Sequence, residues 1–246
     1  MKKLLVCLLA ITMSVGLLAC GGSNSEDLIV GTNAEFPPFE YIGDNGEPDG
    51  FDIALIKAIG EKIGRNVVIE NLEFSSLVAS IGTKIDVAIA GMTVTEERKL
   101  TVDFSDPYYE AVQYVIIPDG SSISAMADLE GLTIGVQLGT TGDFIVEDIA
   151  GATASQYQKA VDAVNDLVNG RVDCVIIDRN PALVFADKFA GQVVALPGSQ
   201  FGFDAEFYAI AMPKGDTELA NKINQALKDL KTDGTFDKLV SQYIEE

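Results

Sequence analysis

Apolar and polar positions alternate along the chain in short, regularly spaced blocks. Leu28–Thr32 (LIVGT) is an apolar run of strand length ending in Gly-Thr. In Phe51–Gly64 the residues Leu55, Ile59 and Ile63, with Ile56 beside them, recur at helical spacing, and Gly64 supplies a stop. Val67–Glu70 predicts a second strand, and Phe74–Gly82 a second amphipathic helix with Leu77, Val78 and Ile81 on one side. Ile85–Ala90 predicts a third strand, apolar enough to be buried on both faces as parallel strands are. Ala111–Pro118 predicts a longer strand. The alternation then restarts, with strands at Leu132–Val136, Thr153–Tyr157 and Val172–Ile177 and helices at Asp143–Ala150 and Ala160–Asn169. Phe203–Met212 reads as a late strand ended by Pro213, and two helices follow, Thr217–Thr232 and Thr235–Tyr243, separated by Gly234. Strand and helix alternating twice predict two α/β units. Right-handed crossovers would bring Asn33, Phe74 and Thr93 to one sheet edge, where α/β proteins bind ligands.

The first residues do not join this pattern. Met1-Lys2-Lys3 is a positive start and Leu4–Leu18 an apolar run too short for a stable membrane span. Residues 1–19 are therefore expected to be a signal peptide. Leu17-Leu18-Ala19-Cys20 looks like the lipobox of bacterial lipoproteins, which makes Cys20 the expected lipidation site; Leu18 is a slightly unusual choice there. Residues 20–27 then read as a flexible, lipid-anchored tether. The other reading is a plain secretory signal with a chance cysteine.

Composition narrows the function. The 246 residues are 48% hydrophobic, enough for a real core in one large domain or two modest ones. The net charge is −20 with no histidine, which excludes a phosphate-binding nucleic-acid surface, histidine catalysis and histidine-ligated metal. No metal site and no cofactor motif is expected. Cys7 lies in the signal and Cys20 takes lipid, so Cys174 remains alone in VDCVIID, as a small core residue rather than a reactive thiol.

Candidate binding chemistry is spread over three loops. The stretch after the third strand, AGMTVTEERKL, offers backbone N–H groups, the hydroxyls of Thr93 and Thr95 and the guanidinium of Arg98, parts that suit a carboxylate. By spacing alone Arg98 fits a surface ion pair with Glu96 or Glu97 equally well. QLGTTGD at 137–143 enters a predicted helix and suits an anion, but it is also an ordinary strand-to-helix turn. Asp178 ends a strand, where it can meet an ammonium or merely cap the next helix. In the loop after the first strand, Phe36 is a candidate binding wall, while Phe39 and Tyr41 are expected to cover the core edge.

Together GTNAEFPPFEY (31–41), GFDIALIKAI (50–59), IDVAIAGMTVTEERKLTVDFSDPYY (85–109), GVQLGTTGD (135–143) and GRVDCVIID (170–178) resemble the polar-amino-acid family (family 3) of bacterial ABC-transporter substrate-binding proteins, across residues 28–246. Ala54 departs from the family's usual acid at a helix surface position. The resemblance implies a two-lobe, type II periplasmic-binding-protein fold. Lobe 1 would comprise residues 28–114 plus 211–246 and lobe 2 residues 115–210, with hinge crossings near Tyr114–Ile117 and Tyr208–Met212. It implies that Arg98 pairs with the ligand α-carboxylate, with Thr93 beside it and the Thr141 N–H reaching it from the second lobe. The Gly91 carbonyl and Asp178 would meet the ammonium, and Phe36 and Phe74 would wall the side chain. Asn33, Ala90, Gln137 and Ile177 match positions that vary with specificity, and Asn33 departs from a common aspartate.

The expected function is therefore to bind a free L-amino acid, close around it and deliver it to an ABC permease, outside the cytoplasmic membrane and as a monomer. Lysine and a second arginine are missing from the matched positions, which disfavours acidic ligands. Aromatic walls, with Glu35 and Asn33 to receive a positive tip, favour arginine or lysine; the alternative is a neutral polar ligand such as glutamine. A cyclohexadienyl dehydratase on the same fold is a remote alternative, since the cleft lacks a free acid. A receptor's sensing domain is a third class, disfavoured by the absence of a span or signalling domain before Glu246.

Overall fold

A computed structural model of the chain describes residues 27–244. The expected signal peptide, Cys20 and nearly all of the tether lie outside the described residues. The first half runs β1 (Leu28–Thr32), β2 (Glu35–Phe36), β3 (Glu40–Ile42), β4 (Pro48–Asp49), α1 (Phe51–Ile63), β5 (Val67–Asn71), α2 (Leu77–Ser80), β6 (Val87–Ala88), α3 (Glu96–Lys99) and β7 (Val102–Phe104). The long β8 (Tyr109–Pro118) leads into β9 (Thr133–Gln137), α4 (Thr141–Glu147), β10 (Thr153–Tyr157), α5 (Ala160–Val168), β11 (Cys174–Asp178), α6 (Arg179–Lys188) and β12 (Val193–Pro197). The chain returns through β13 (Ala205–Tyr208) and β14 (Ala211–Pro213) and ends with α7 (Thr217–Thr232) and α8 (Thr235–Tyr243).

Two sheets result, each flanked by helices. The first has the order β5-β1-β6-β14-β7 and the second β10-β9-β11-β8-β12, with β13 also paired to β8. β1 runs parallel to β5 and β6, and β9 parallel to β10 and β11. These are the crossover-linked strands, and their buried apolar runs follow from having helices on both faces. The reversed members, β14 in the first sheet and β8 in the second, belong to the segments that pass between the halves, and β12 pairs with the far edge of β8.

The first lobe takes its core from both ends of the chain. Leu55, Ile56 and Ile59 of α1 are fully buried in one cluster with Ile223, Leu227 and Leu230 of α7 and Phe236 of α8. α1 ends where expected: Gly64 adopts φ 73° and its N–H returns to Glu61 O, a left-handed cap that only glycine makes without strain. The second lobe has its own cluster, including Val115, Ile134, Val136 and Ile176, with Cys174 fully buried among them.

Four differences from the sequence reading have local causes. The helix expected over Phe74–Gly82 is a 3-10 turn at Phe74–Ser76 followed by the single turn of α2, because Ile81 turns extended and pairs with Ile85. The strand expected over Phe203–Met212 is two strands: β13 pairs with β8, whereas β14 joins the first sheet between β6 and β7. α6 carries Pro181 in its first turn, where proline is tolerated, and its exposed Leu183 and Val184 blur the helical period; neither α6 nor β12 was delimited by pattern. The loop after β1 is a small sheet, β2-β3-β4, whose strands are too short to show alternation.

Candidate functional site

The segments at the ends of β1, β5, β6, β9 and β11 bring the candidate residues to one cleft between the lobes. A narrow pocket there is lined by Asn33, Phe36, Phe74, Ala90, Gly91, Thr93, Arg98, Gln137, Thr141 and Asp178, all named from sequence, together with Glu40 and Thr140, which were not. Glu35 and Ile177 are the exceptions. Ile177 is buried in the core, and the Glu35 carboxylate pairs with Lys159 of the second lobe at 2.6 Å.

Arg98 is not a surface ion pair. It sits in the four-residue α3, started by Thr95, whose hydroxyl accepts the Arg98 N–H at 3.1 Å. That turn points the side chain inward, where it is 8% exposed. Nη1 donates to Thr93 O at 2.6 Å and Nη2 to Gly139 O at 2.9 Å, the second bond crossing between lobes. The guanidinium carbon lies 5.4 Å from the Phe74 ring centre. Two of five N–H donors are thereby spent on carbonyls, and the rest remain for an anion. Burial lowers its pKa to about 10, opposed by the charges of Glu206 and Asp178, so it stays cationic at neutral pH.

The Gly139–Thr141 turn faces it. Gly139 takes φ 78°, and its N–H donates to Asp143 Oδ2 at 2.9 Å. Thr140 caps α4 by accepting the Asp143 N–H. Among the described residues no backbone acceptor takes the N–H of Thr93 or Thr141. The threonine hydroxyls, by contrast, are committed: both donate to Glu206 Oε2 at 2.7 Å. An anion in the cleft thus meets N–H groups and a guanidinium rather than hydroxyl protons.

The opposite end is acidic. Asp178 closes β11, is 6% exposed and accepts the Tyr208 hydroxyl at 2.7 Å. It stands at the N-cap position of α6 but makes no side-chain cap bond, so the cap alternative fails. Burial raises its pKa to about 7, reinforced by the charge of Glu206. Behind Gly91 lies a second acid pair. Asp52 Oδ2 accepts the Gly91 N–H and the Tyr108 hydroxyl, both at 2.8 Å, and burial raises Asp52 to about 6. Glu40 is fully buried and pushed well above the carboxylate range, first by burial and then by Asp52. Both Glu40 oxygens and Asp52 Oδ1 find no donor among the described residues. A proton retained by Glu40 and shared with Asp52 relieves that conflict.

Gly91 joins the two ends. At φ 51° it holds a left-handed turn, and a Cβ there would stand 3.0 Å from Phe36 Cε1 and 3.4 Å from Tyr208 Cε2. Asn33 and Gln137 form the side wall and bond each other across the lobes: Gln137 Nε2 donates to Asn33 Oδ1 at 2.8 Å, while Asn33 Nδ2 donates to Leu72 O. Sequence reasoning missed Glu40, Asp52, Thr140 and Glu206. A glutamate in PPFEY and an aspartate in GFDIAL, both amid apolar residues, were the available signals for the first two.

A two-lobe α/β protein with a buried guanidinium at one end of its cleft and buried carboxylates at the other has the charge arrangement that suits a small zwitterion. The chain belongs to the bacterial extracellular solute-binding proteins, family 3, whose model matches residues 28–246. It is 35% identical to the arginine-binding extracellular protein ArtP of Bacillus subtilis, over 99% of this chain and 98% of that one. It is similar to an ancestral arginine-binding protein solved with arginine, at 41% identity and a TM-score of 0.83, covering 89% of this chain and 98% of the other. An ancestral arginine-binding protein solved with glutamine matches at 42% identity and a TM-score of 0.84, with the same coverage. The chain is a substrate-binding protein, not an enzyme.

Proposed function

We propose that this protein binds a basic L-amino acid, arginine foremost, between its lobes and delivers it to an ABC permease. The observation that carries this reading is the polarity of the cleft: Arg98 with the free N–H groups of Thr93 and Thr141 at one end, Asp178 at the other. The α-carboxylate pairs with Arg98 and those N–H groups, and the ammonium with Asp178 and the Gly91 carbonyl. A cationic side chain lies between Phe36 and Phe74, where ring faces and nearby acids favour positive charge. Asn33, Ala90 and Gln137 line its path, and Glu35 acts through its cross-lobe pair with Lys159 rather than by direct contact. Names of relatives that bind arginine support the same ligand.

Neither lobe alone satisfies both ends, so the ligand favours the closed form; hinge closure of this kind is a known mode for periplasmic binding proteins. The bend falls where β8 and β13 run side by side, at Tyr109–Val112 and Ala205–Tyr208. This is slightly before the Tyr114–Ile117 expected from sequence, residues that are paired to β11 and β12 inside the second sheet. The mature chain is a monomer tethered outside the cytoplasmic membrane by lipid on Cys20, after removal of residues 1–19.

Glutamine is the second reading, favoured by the two side-chain amides at the wall and by the glutamine-bound ancestral protein. Calorimetry with L-arginine, L-lysine, L-histidine and L-glutamine tests both. Tight binding of arginine is expected; tight binding of glutamine alone overturns the basic-ligand reading, and binding of none overturns the function.

A further inference from the structure

Glu206 belongs to neither end of the cleft and is not among the cavity-lining residues, yet it touches both lobes. It lies on β13, opposite Ala111 of β8, in the two-strand ribbon that links the sheets. One oxygen, Oε2, accepts the Thr93 hydroxyl from the first lobe and the Thr141 hydroxyl from the second, each at 2.7 Å. Gln113 Nε2, from β8, donates to Thr141 Oγ1 at 3.2 Å and reaches the same Glu206 oxygen at 3.5 Å. The carboxylate is thus a three-way junction between hinge, first lobe and second lobe.

Two consequences follow from elementary chemistry. A hydroxyl carries one proton, so the protons of Thr93 and Thr141 are both spent on Glu206 and their side chains are fixed in direction. Fixing those side chains leaves the backbone N–H groups of the same two residues as the donors that face an anion. The junction also exists only while the lobes are together, because its two threonines come from opposite sides. We propose that Glu206 is a positioning residue at the hinge: its carboxylate gathers one threonine hydroxyl from each lobe, which sets how Thr93 and Thr141 present their N–H groups and how long the lobes stay closed. The first part rests on the amino-acid reading above; the second does not.

A charged acceptor here also carries a cost that a passive structural residue would not. Its negative charge stands near Arg98, since Thr93 donates to Glu206 through its hydroxyl and accepts from the guanidinium through its carbonyl, and it opposes an incoming carboxylate. The latch therefore retains a ligand once the lobes are shut while doing little to speed its entry.

The test uses the full chain and two variants, Glu206→Ala and the isosteric Glu206→Gln. Small-angle X-ray scattering without added amino acid reads the closed-to-open ratio. Loss of two charge-assisted hydrogen bonds is expected to lower that ratio roughly ten- to a hundredfold in Glu206→Ala, with Glu206→Gln between it and the parent. Stopped-flow fluorescence with L-arginine should show the release rate rising by a similar factor while the association rate changes less than about threefold. Thr141→Val should mimic Glu206→Ala, and the double variant should be no worse than either, since all remove one junction. An unchanged scattering profile and release rate in Glu206→Ala, or fully additive effects with Thr141→Val, would overturn the proposal. If the parent does not bind arginine, the ligand reading fails on its own and the scattering comparison still decides the latch.

Discussion

At one end of the cleft Arg98 gives two N–H groups to the carbonyls of Thr93 and Gly139. At the other, Asp178, Asp52 and Glu40 lie buried, with the Tyr208 hydroxyl donating to Asp178 and the Tyr108 hydroxyl to Asp52. Both ends take charge out of water, but the side chains answer differently. A guanidinium, even lowered to about 10, keeps its proton throughout the working range. A carboxyl relieves the same strain by taking a proton, and Asp178 at about 7 and Asp52 at about 6 are partway there. The anion end of the site is therefore always armed, and the cation end is armed by pH.

The largest break in that contrast comes from the permanent charge. Arg98→Ala should weaken amino-acid binding from about tenfold to more than a hundredfold, since a charge-assisted pair is worth roughly 1.5–3 kcal/mol, and calorimetry would show the loss at every pH. Next comes Asp178. Binding an ammonium requires its ionised form, so affinity should rise as pH increases from about 6 to 8 and level off above; titrations at pH 6, 7 and 8 check this. Asp178→Asn should bind roughly tenfold more weakly at pH 8 and lose the pH dependence.

The same acids set a stability slope of opposite direction. Their folded pKa values lie above the unfolded values near 4, so the folded chain holds more protons between about pH 4 and 7 and loses stability as pH rises through that window. Urea midpoints should be lower at pH 7.5 than at pH 5, and Asp52→Asn should flatten the difference. The lowered pKa values of Asp103, Asp128, Asp166 and Asp233, all held by nearby donors, act below that window. Gly91→Ala comes next, at about 1–2 kcal/mol for a left-handed alanine plus displacement of Phe36, read from the thermal midpoint. The smallest effect is expected at the rim: Lys159→Ala removes a partly exposed pair with Glu35 and should cost less than about 1 kcal/mol by denaturation.

Much of this was legible in sequence because it follows from local pattern. β1, β10, α7 and α8 stand where periodicity puts them, and Gly234 separates the last two as a glycine stop should. Arg98 and Asp178 were named from sequence, but their burial was not readable there, since Glu96 and Glu97 beside Arg98 suggest a surface. Glu206 illustrates what sequence withholds. Its partners are 113 and 65 residues away, and nothing in AEFYAI marks the glutamate as the meeting point of two lobes. The split of Phe203–Met212 was hidden for the same reason: an apolar run records burial but not which sheet it joins.

The packing of α7 and α8 against α1 has a consequence for how the molecule is made. The second sheet draws most of its strands from one continuous stretch, β8 to β12, with β13 close behind. That half has its core in hand as soon as those residues have emerged. The first half does not: its central sheet waits for β14, and the apolar face of α1 waits for Ile223, Leu227 and Phe236 at the far end of the chain. Domains tend to fold as units once their residues are present, and distant contacts are the slow ones. The half that starts first in the sequence is thus the one that finishes last, so a chain stopped short of α7 would carry a mature second lobe and an exposed, unfinished first one.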